Sequence, residues 1–258
     1  MITPTLIDQL KRLRFSGILE TFDVRLSQAR ENALSHIEWL SLLLQDEIQR
    51  REAQALIERL KKAKFEQEKT FEEFEFSRYP LTIQHLLRDL MAGHYLQENR
   101  HVLIVGPTGT GKTHVAQALG HQACRQGKRV RFIRAANLLR EMNASRADHT
   151  WERSLKRFMA PDLLIIDDFG LSALSFAQAE DIYELIAERH LHSSFILTSN
   201  RKIEALVELF PDPAMGNAAL DRLVSQSYHV ILEGQSYRRL GSQKVLQESQ
   251  KEENQMTS

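Results

Sequence analysis

The run Gly106-Pro107-Thr108-Gly109-Thr110-Gly111-Lys112-Thr113 fits the spacing G-x-x-x-x-G-K-[ST], and each fixed position has a chemical task. The glycines let the backbone curl so that its N–H groups point inward at phosphate oxygens. Lys112 adds a point charge for the β- and γ-phosphates of ATP, and Thr113 offers a hydroxyl to Mg²⁺. Such a loop binds nucleotide, and hydrolysis needs further groups. They are supplied by Leu163-Leu164-Ile165-Ile166-Asp167-Asp168. Here four apolar residues bury a strand whose first acid, Asp167, emerges beside the loop to hold the metal's water shell. Asp168 is then placed to polarise the attacking water. In Ser194-Phe195-Ile196-Leu197-Thr198-Ser199-Asn200-Arg201, Asn200 follows another apolar run and is placed to orient the water or sense the γ-phosphate. Arg222 and Arg238 are two later candidates for a catalytic charge, and position alone does not assign them.

These residues need a scaffold that brings strand ends together. Apolar runs at 102–105, 130–133, 163–166, 195–198 and 229–232 alternate with helical patterns such as 113–126 and 178–189. Little polar alternation within the runs predicts strands covered on both faces, hence an α/β fold with a five-stranded parallel sheet and right-handed crossovers. A helix opening after Gly111 aims its positive dipole end at the bound phosphate.

The first 70 residues carry no strand signal, and Leu34, Ile37, Leu40, Leu44 and Ile48 mark one helical face. Ser35 with Glu38 three residues on predicts a capping box opening a long helix through Leu56, Ile57 and Leu60. Its far end carries Arg50, Arg51, Arg59, Lys61, Lys62 and Lys64, with Glu47, Glu52 and Glu58 interspersed. That pattern suits either a solvated face or a surface for DNA phosphates. Residues 65–80 read as a linker whose aromatics either wall an adenine pocket or bury against the core. The expected organisation is a helical domain at 1–66, an ATPase domain at 67–245 and a polar, disordered tail at 246–258.

Composition narrows the class. The chain has 258 residues, 42% of them hydrophobic, enough for one good-sized domain and a smaller one. Lys+Arg and Asp+Glu both number 34, so any nucleic-acid role rests on local clustering of charge. Cys124 is the single cysteine, which excludes an internal disulfide framework and reads as a small buried thiol. With no apolar leader and no run of 18 apolar residues, a soluble, cytoplasmic protein is expected.

The phosphate loop, Asp167-Asp168, Thr198-Ser199-Asn200-Arg201, Leu220-Asp221-Arg222-Leu223 and Gly234-Gln235-Ser236-Tyr237-Arg238, in that order, resemble an AAA+ P-loop NTPase. More narrowly, together with Leu10–Gly17 and Lys61–Lys64, they resemble the IstB-like transposition helpers, relatives of the DnaC-type helicase loaders. The resemblance implies an ATP-dependent regulator that assembles as a homo-oligomer on double-stranded DNA without strong sequence preference and directs a transposase there. It implies Asn200 as first sensor, Arg222 as an arginine finger acting on a neighbouring subunit's ATP, and Arg238 as second sensor. Asp168 departs from the broad AAA+ pattern, where Glu is usual. Being one methylene shorter, it holds water less closely, which implies slow hydrolysis or a switch used mainly for binding. Two other readings share the loop: a replicative helicase loader, and a kinase acting on a small acceptor.

Overall fold

The computed structural model describes residues 3–234 together with Ser236. Arg238 and the expected tail at 246–258 lie outside the described residues. The chain divides into two compact units between Arg59 and Leu60.

The first unit is helical: α1 (Pro4–Arg12), α2 (Ser16–Glu31) and the greater part of α3 (His36–Ala63). Thr3 caps α1 ahead of Pro4, whose missing N–H costs nothing in a first turn. The expected capping box opens α3: the Glu38 carboxylate accepts from the Ser35 N–H at 2.8 Å, and the Ser35 hydroxyl accepts from the Glu38 N–H at 3.3 Å. The small core gathers Leu10, Ile18, Phe22 and Leu43, with Trp39 edge-on to Phe22 at 5.5 Å. α2 lacks a side-chain cap of its own. Its first N–H groups are met instead by the buried Glu47 carboxylate of α3, at 2.6 Å from Gly17 and 3.3 Å from Ile18. The apolar face read from the sequence does not build this core. Ile37, Leu40, Leu44 and Ile48 are exposed, because α3 turns Leu43 and Glu47 inward, a different face of the same helix.

In the second unit, two short 3-10 turns (Phe71–Glu73 and Phe76–Arg78) precede α4 (Leu81–Met91) and α5 (His94–Gln97). Strands and helices then alternate: β1 (His101–Val105), α6 (Lys112–Arg125), β2 (Val130–Arg134), α7 (Ala135–Ala147), α8 (Trp151–Met159), β3 (Leu163–Phe169), α9 (Phe176–Arg189), β4 (Ser194–Ser199), α10 (Pro213–Ser225) and β5 (Ser227–Ile231). The five strands form one parallel sheet in the order β2-β3-β4-β1-β5. β1, β3 and β4 are buried almost throughout, as their unbroken apolar runs require, while the edge strands β2 and β5 are partly open. Leu103, Val105, Leu164, Ile166, Phe195 and Leu197 project to one face, into a core shared with α7, α8, α9 and α10. Among the described residues no helix is long and apolar enough to cross a membrane.

Residues 65–80 are not a free connection. Phe65 stacks on His121 of α6 at 4.3 Å, Gln67 N–H donates to the Gln117 side chain at 3.1 Å, and Arg125 pairs with Glu72 at 2.8 Å. Phe71, Phe74 and Tyr79 are buried, with Phe74 stacked on Tyr79 at 5.3 Å. The aromatics thus outweigh the acidic, loop-like character of the segment and fasten it to α6.

Candidate functional site: a phosphate loop facing two acids

The sheet order decides which residues meet. β1 lies beside β4, and β4 beside β3, so the loop after β1, Asn200 after β4 and the acids on β3 all reach the same carboxyl edge, where open α/β sheets hold ligands.

The loop is held curled by its own groups and its neighbours. The Pro107 carbonyl accepts from the Thr110 hydroxyl at 2.9 Å and from Lys112 Nζ at 2.8 Å, and the Thr110 carbonyl accepts from the Tyr79 hydroxyl at 2.7 Å. Gly106 N–H donates to the Ser199 carbonyl at 3.2 Å, which sets the loop's first residue next to Asn200. Gly106 has φ +153°, and a Cβ there would stand 2.0 Å from the Leu232 carbonyl oxygen, so no larger residue fits. At Gly109, φ +85°, a Cβ would meet the Ser236 hydroxyl at 2.0 Å. Leu232 and Ser236 therefore lie against the loop. Lys112 is 5% exposed.

Across from the loop, the Thr113 hydroxyl lies 3.0 and 3.1 Å from the two oxygens of Asp167. The Thr198 hydroxyl donates to Asp167 Oδ1 at 2.6 Å and accepts from the Asp168 N–H at 2.9 Å. Burial pushes the Asp167 carboxyl above its ordinary range, the nearby Asp168 charge pushes the same way, and the Thr198 and Thr113 bonds pull against both. Arg134, opposite Asp167 in the β2–β3 register, adds positive charge nearby while pairing with Glu66.

Lys112, Thr113, Asp167, Asp168 and Asn200 are thus brought to one edge, with Asn200 exposed there. Arg222 is not. On α10 its guanidinium donates to the Tyr183 hydroxyl at 2.7 Å and lies 4.9 Å from the centre of that ring; among the described residues it touches neither the loop nor the acids. Two features escaped the sequence reading. Thr198 had a readable signal, a hydroxyl inside an otherwise apolar run. The other is a cavity of about 840 Å³ at the α7–α8 turn, lined by Arg146, Trp151, Glu152, Arg153 and Lys156, with Arg146 paired to Asp181 at 2.7 Å.

Comparison with known proteins follows the same lines. Residues 8–245 match the family model described as IstB-like ATP binding protein. An ATP-binding protein in an insertion sequence of Mycobacterium tuberculosis is 42% identical over 91% of this chain and 94% of that one. A counterpart from insertion sequence IS5376 of Geobacillus stearothermophilus is 31% identical over 94% and 96%. Among solved structures, AMPPCP-bound DnaA from Aquifex aeolicus superposes with a TM-score of 0.56 at 22% identity, covering 74% of this chain and 57% of that one. The DnaC helicase loader gives 0.50 at 23%, covering 59% and 89%. These likenesses show the AAA+ P-loop fold. By sequence, sheet order and loop geometry together, the chain belongs to the IstB-like ATP-binding protein family.

Proposed function

We propose that this protein binds and hydrolyses ATP with Mg²⁺, assembles as a homo-oligomer on double-stranded DNA, and recruits or activates the transposase of an insertion sequence. The observation that carries the reading is the shared edge of phosphate loop, Thr113 and Asp167, in a chain matched over more than nine-tenths of its length by insertion-sequence ATP-binding proteins.

The donor set suits Mg²⁺. A hydroxyl and a buried carboxylate are hard oxygen ligands, and Mg²⁺ takes one or two carboxylates alongside substrate phosphates and water. Among the described residues no group of three or more His, Cys, Asp or Glu side chains could hold a metal alone. The arrangement fits an ion that arrives with the nucleotide, held by Thr113 and Asp167. There it would neutralise charge developing on the phosphates. Loop N–H groups and Lys112 bind the β- and γ-phosphates, while Asp168 and Asn200 orient the attacking water. Arg222 stands away from its own loop, which supports a role on a neighbouring subunit's ATP and so ties assembly to nucleotide state. Arg238 is proposed as second sensor on family resemblance alone.

DNA contact is assigned to Arg50, Arg51, Arg59, Lys61, Lys62 and Lys64. Backbone phosphates supply such affinity without sequence information. Phosphate release from ATP, measured with and without duplex DNA, tests the reading. Hydrolysis raised by DNA is expected; a protein that binds neither ATP nor DNA overturns it.

A further inference from the structure

We infer that Thr198 is a positioning residue for the acid pair, the side chain that keeps Asp167 aimed when Mg²⁺–ATP binds. The inference rests on the proposed Mg²⁺–ATP reading and deepens it.

The β3–β4 ladder runs in register from Leu163↔Ser194 to Ile166↔Leu197 and resumes at Phe169↔Ser199. Two residues of β3, Asp167 and Asp168, therefore face one residue of β4, Thr198. This is a β-bulge, which bends the strand and re-aims its side chains. Asp168 takes the strain, with φ +56°, a region that Asp tolerates better than most residues. A bulge also leaves a strand N–H without its ladder acceptor. Thr198 supplies the replacement: its hydroxyl oxygen accepts from Asp168 N–H at 2.9 Å, and its proton goes to Asp167 Oδ1 at 2.6 Å. One fully buried hydroxyl thereby fixes the backbone of one acid and the carboxylate of the other. Valine has nearly the same shape and would suit the apolar run Phe195-Ile196-Leu197 better, so a buried hydroxyl here runs against the burial trend.

Asp167 has a second donor, the Thr113 hydroxyl. A cation bound by the Thr113 oxygen would take one of its lone pairs and fix the direction of its O–H, which could then serve one Asp167 oxygen rather than both. Thr198, on the neighbouring strand β4, would keep its own bond to Asp167 Oδ1, so the carboxylate would stay oriented when the ion binds.

The test compares wild type with Thr198→Val and Thr198→Ala, which remove the hydroxyl, and Thr198→Ser, which keeps it. Thermal melting confirms folding, and the alanine variant serves if valine prevents it. ATP affinity is measured in EDTA and in Mg²⁺, alongside turnover. The hydroxyl-free variants should keep Mg²⁺-free affinity within about twofold but lose about tenfold of the tightening Mg²⁺ confers and a similar factor in turnover, the scale of a hydrogen bond to a charged group. Serine should restore both. Unchanged Mg²⁺ tightening in the valine and alanine variants overturns the inference, as does a serine variant as impaired as they are. Wild type that binds Mg²⁺–ATP without hydrolysing it contradicts the proposed ATPase function instead, and the affinity arm still judges Thr198.

Discussion

The helical unit and the phosphate edge of the second unit differ in what meets their charges. Within the helical unit, Arg25 grips Asp46 through two bonds at 2.6 and 2.7 Å, Arg51 reaches Glu47 at 2.7 Å, and Arg50 reaches Glu20 at 2.9 Å. At the phosphate edge, the Asp167 carboxylate is bonded by two neutral hydroxyls, with Arg134 adding positive charge nearby. Charges balanced internally stabilise a fold, whereas charges held by neutral groups keep their field for a ligand. By this criterion Arg50 and Arg51 are weaker candidates for DNA contact than Lys61, Lys62 and Lys64, which form no ion pair among the described residues.

The largest expected effect lies outside both units' internal chemistry. Arg222→Ala should lower turnover of the DNA-assembled protein by about a thousandfold, the scale of an arginine finger, while sparing ATP affinity. Mixing it with Lys112→Ala subunits should recover part of the rate, since each supplies what the other lacks. Failure of every mixture to recover rate removes the role in trans. Next, Lys112→Ala should weaken ATP binding by roughly a hundredfold, with DNA affinity in the absence of nucleotide retained, as titration of both ligands would show.

Changing Lys61, Lys62 and Lys64 together to Glu should abolish DNA binding and leave ATP affinity intact. Neutralising them to Gln should lower the salt dependence of DNA binding by about three phosphate contacts. Changing Arg50 and Arg51 to Gln should do less; an equal effect would break the contrast between paired and unpaired bases.

Glu47→Ala should cost the helical unit about 2 kcal/mol, read as a shift in its melting, because α2 loses its cap. Burial opposes the Glu47 charge, but bonds from Arg51, Gly17 and Ile18 outweigh it and hold the pKa below the ordinary 4.5. The stability this lends is present above that ordinary value and is lost as pH falls through the lowered one; Glu47→Gln should remove that acid sensitivity. Smallest is Tyr79→Phe, which frees the Thr110 carbonyl and should cost about 1 kcal/mol with modest loss of ATP affinity.

Legibility in the sequence follows the same divide. The phosphate loop and the acid pair are contiguous, so their chemistry shows in residue order, and the unbroken apolar runs announce strands that the sheet does bury. The bulge at Asp168 is a register between strands about thirty residues apart, and no local pattern encodes it. Periodicity at Ile37, Leu40, Leu44 and Ile48 marks a face but not the direction it points, and that face is exposed. Residues 65–80 read as a linker because their partners on α6 lie some fifty residues away. Arg222 is the extreme case, since the group it is proposed to act on belongs to another copy of the chain.

The coupling of nucleotide to assembly is tested most directly by light-scattering mass in solution, with and without a duplex of arbitrary sequence, comparing no nucleotide, ATP and ADP. A large complex is expected with DNA and ATP together, diminished with ADP and absent for Lys112→Ala. A protein of one unchanging mass under every condition would contradict it.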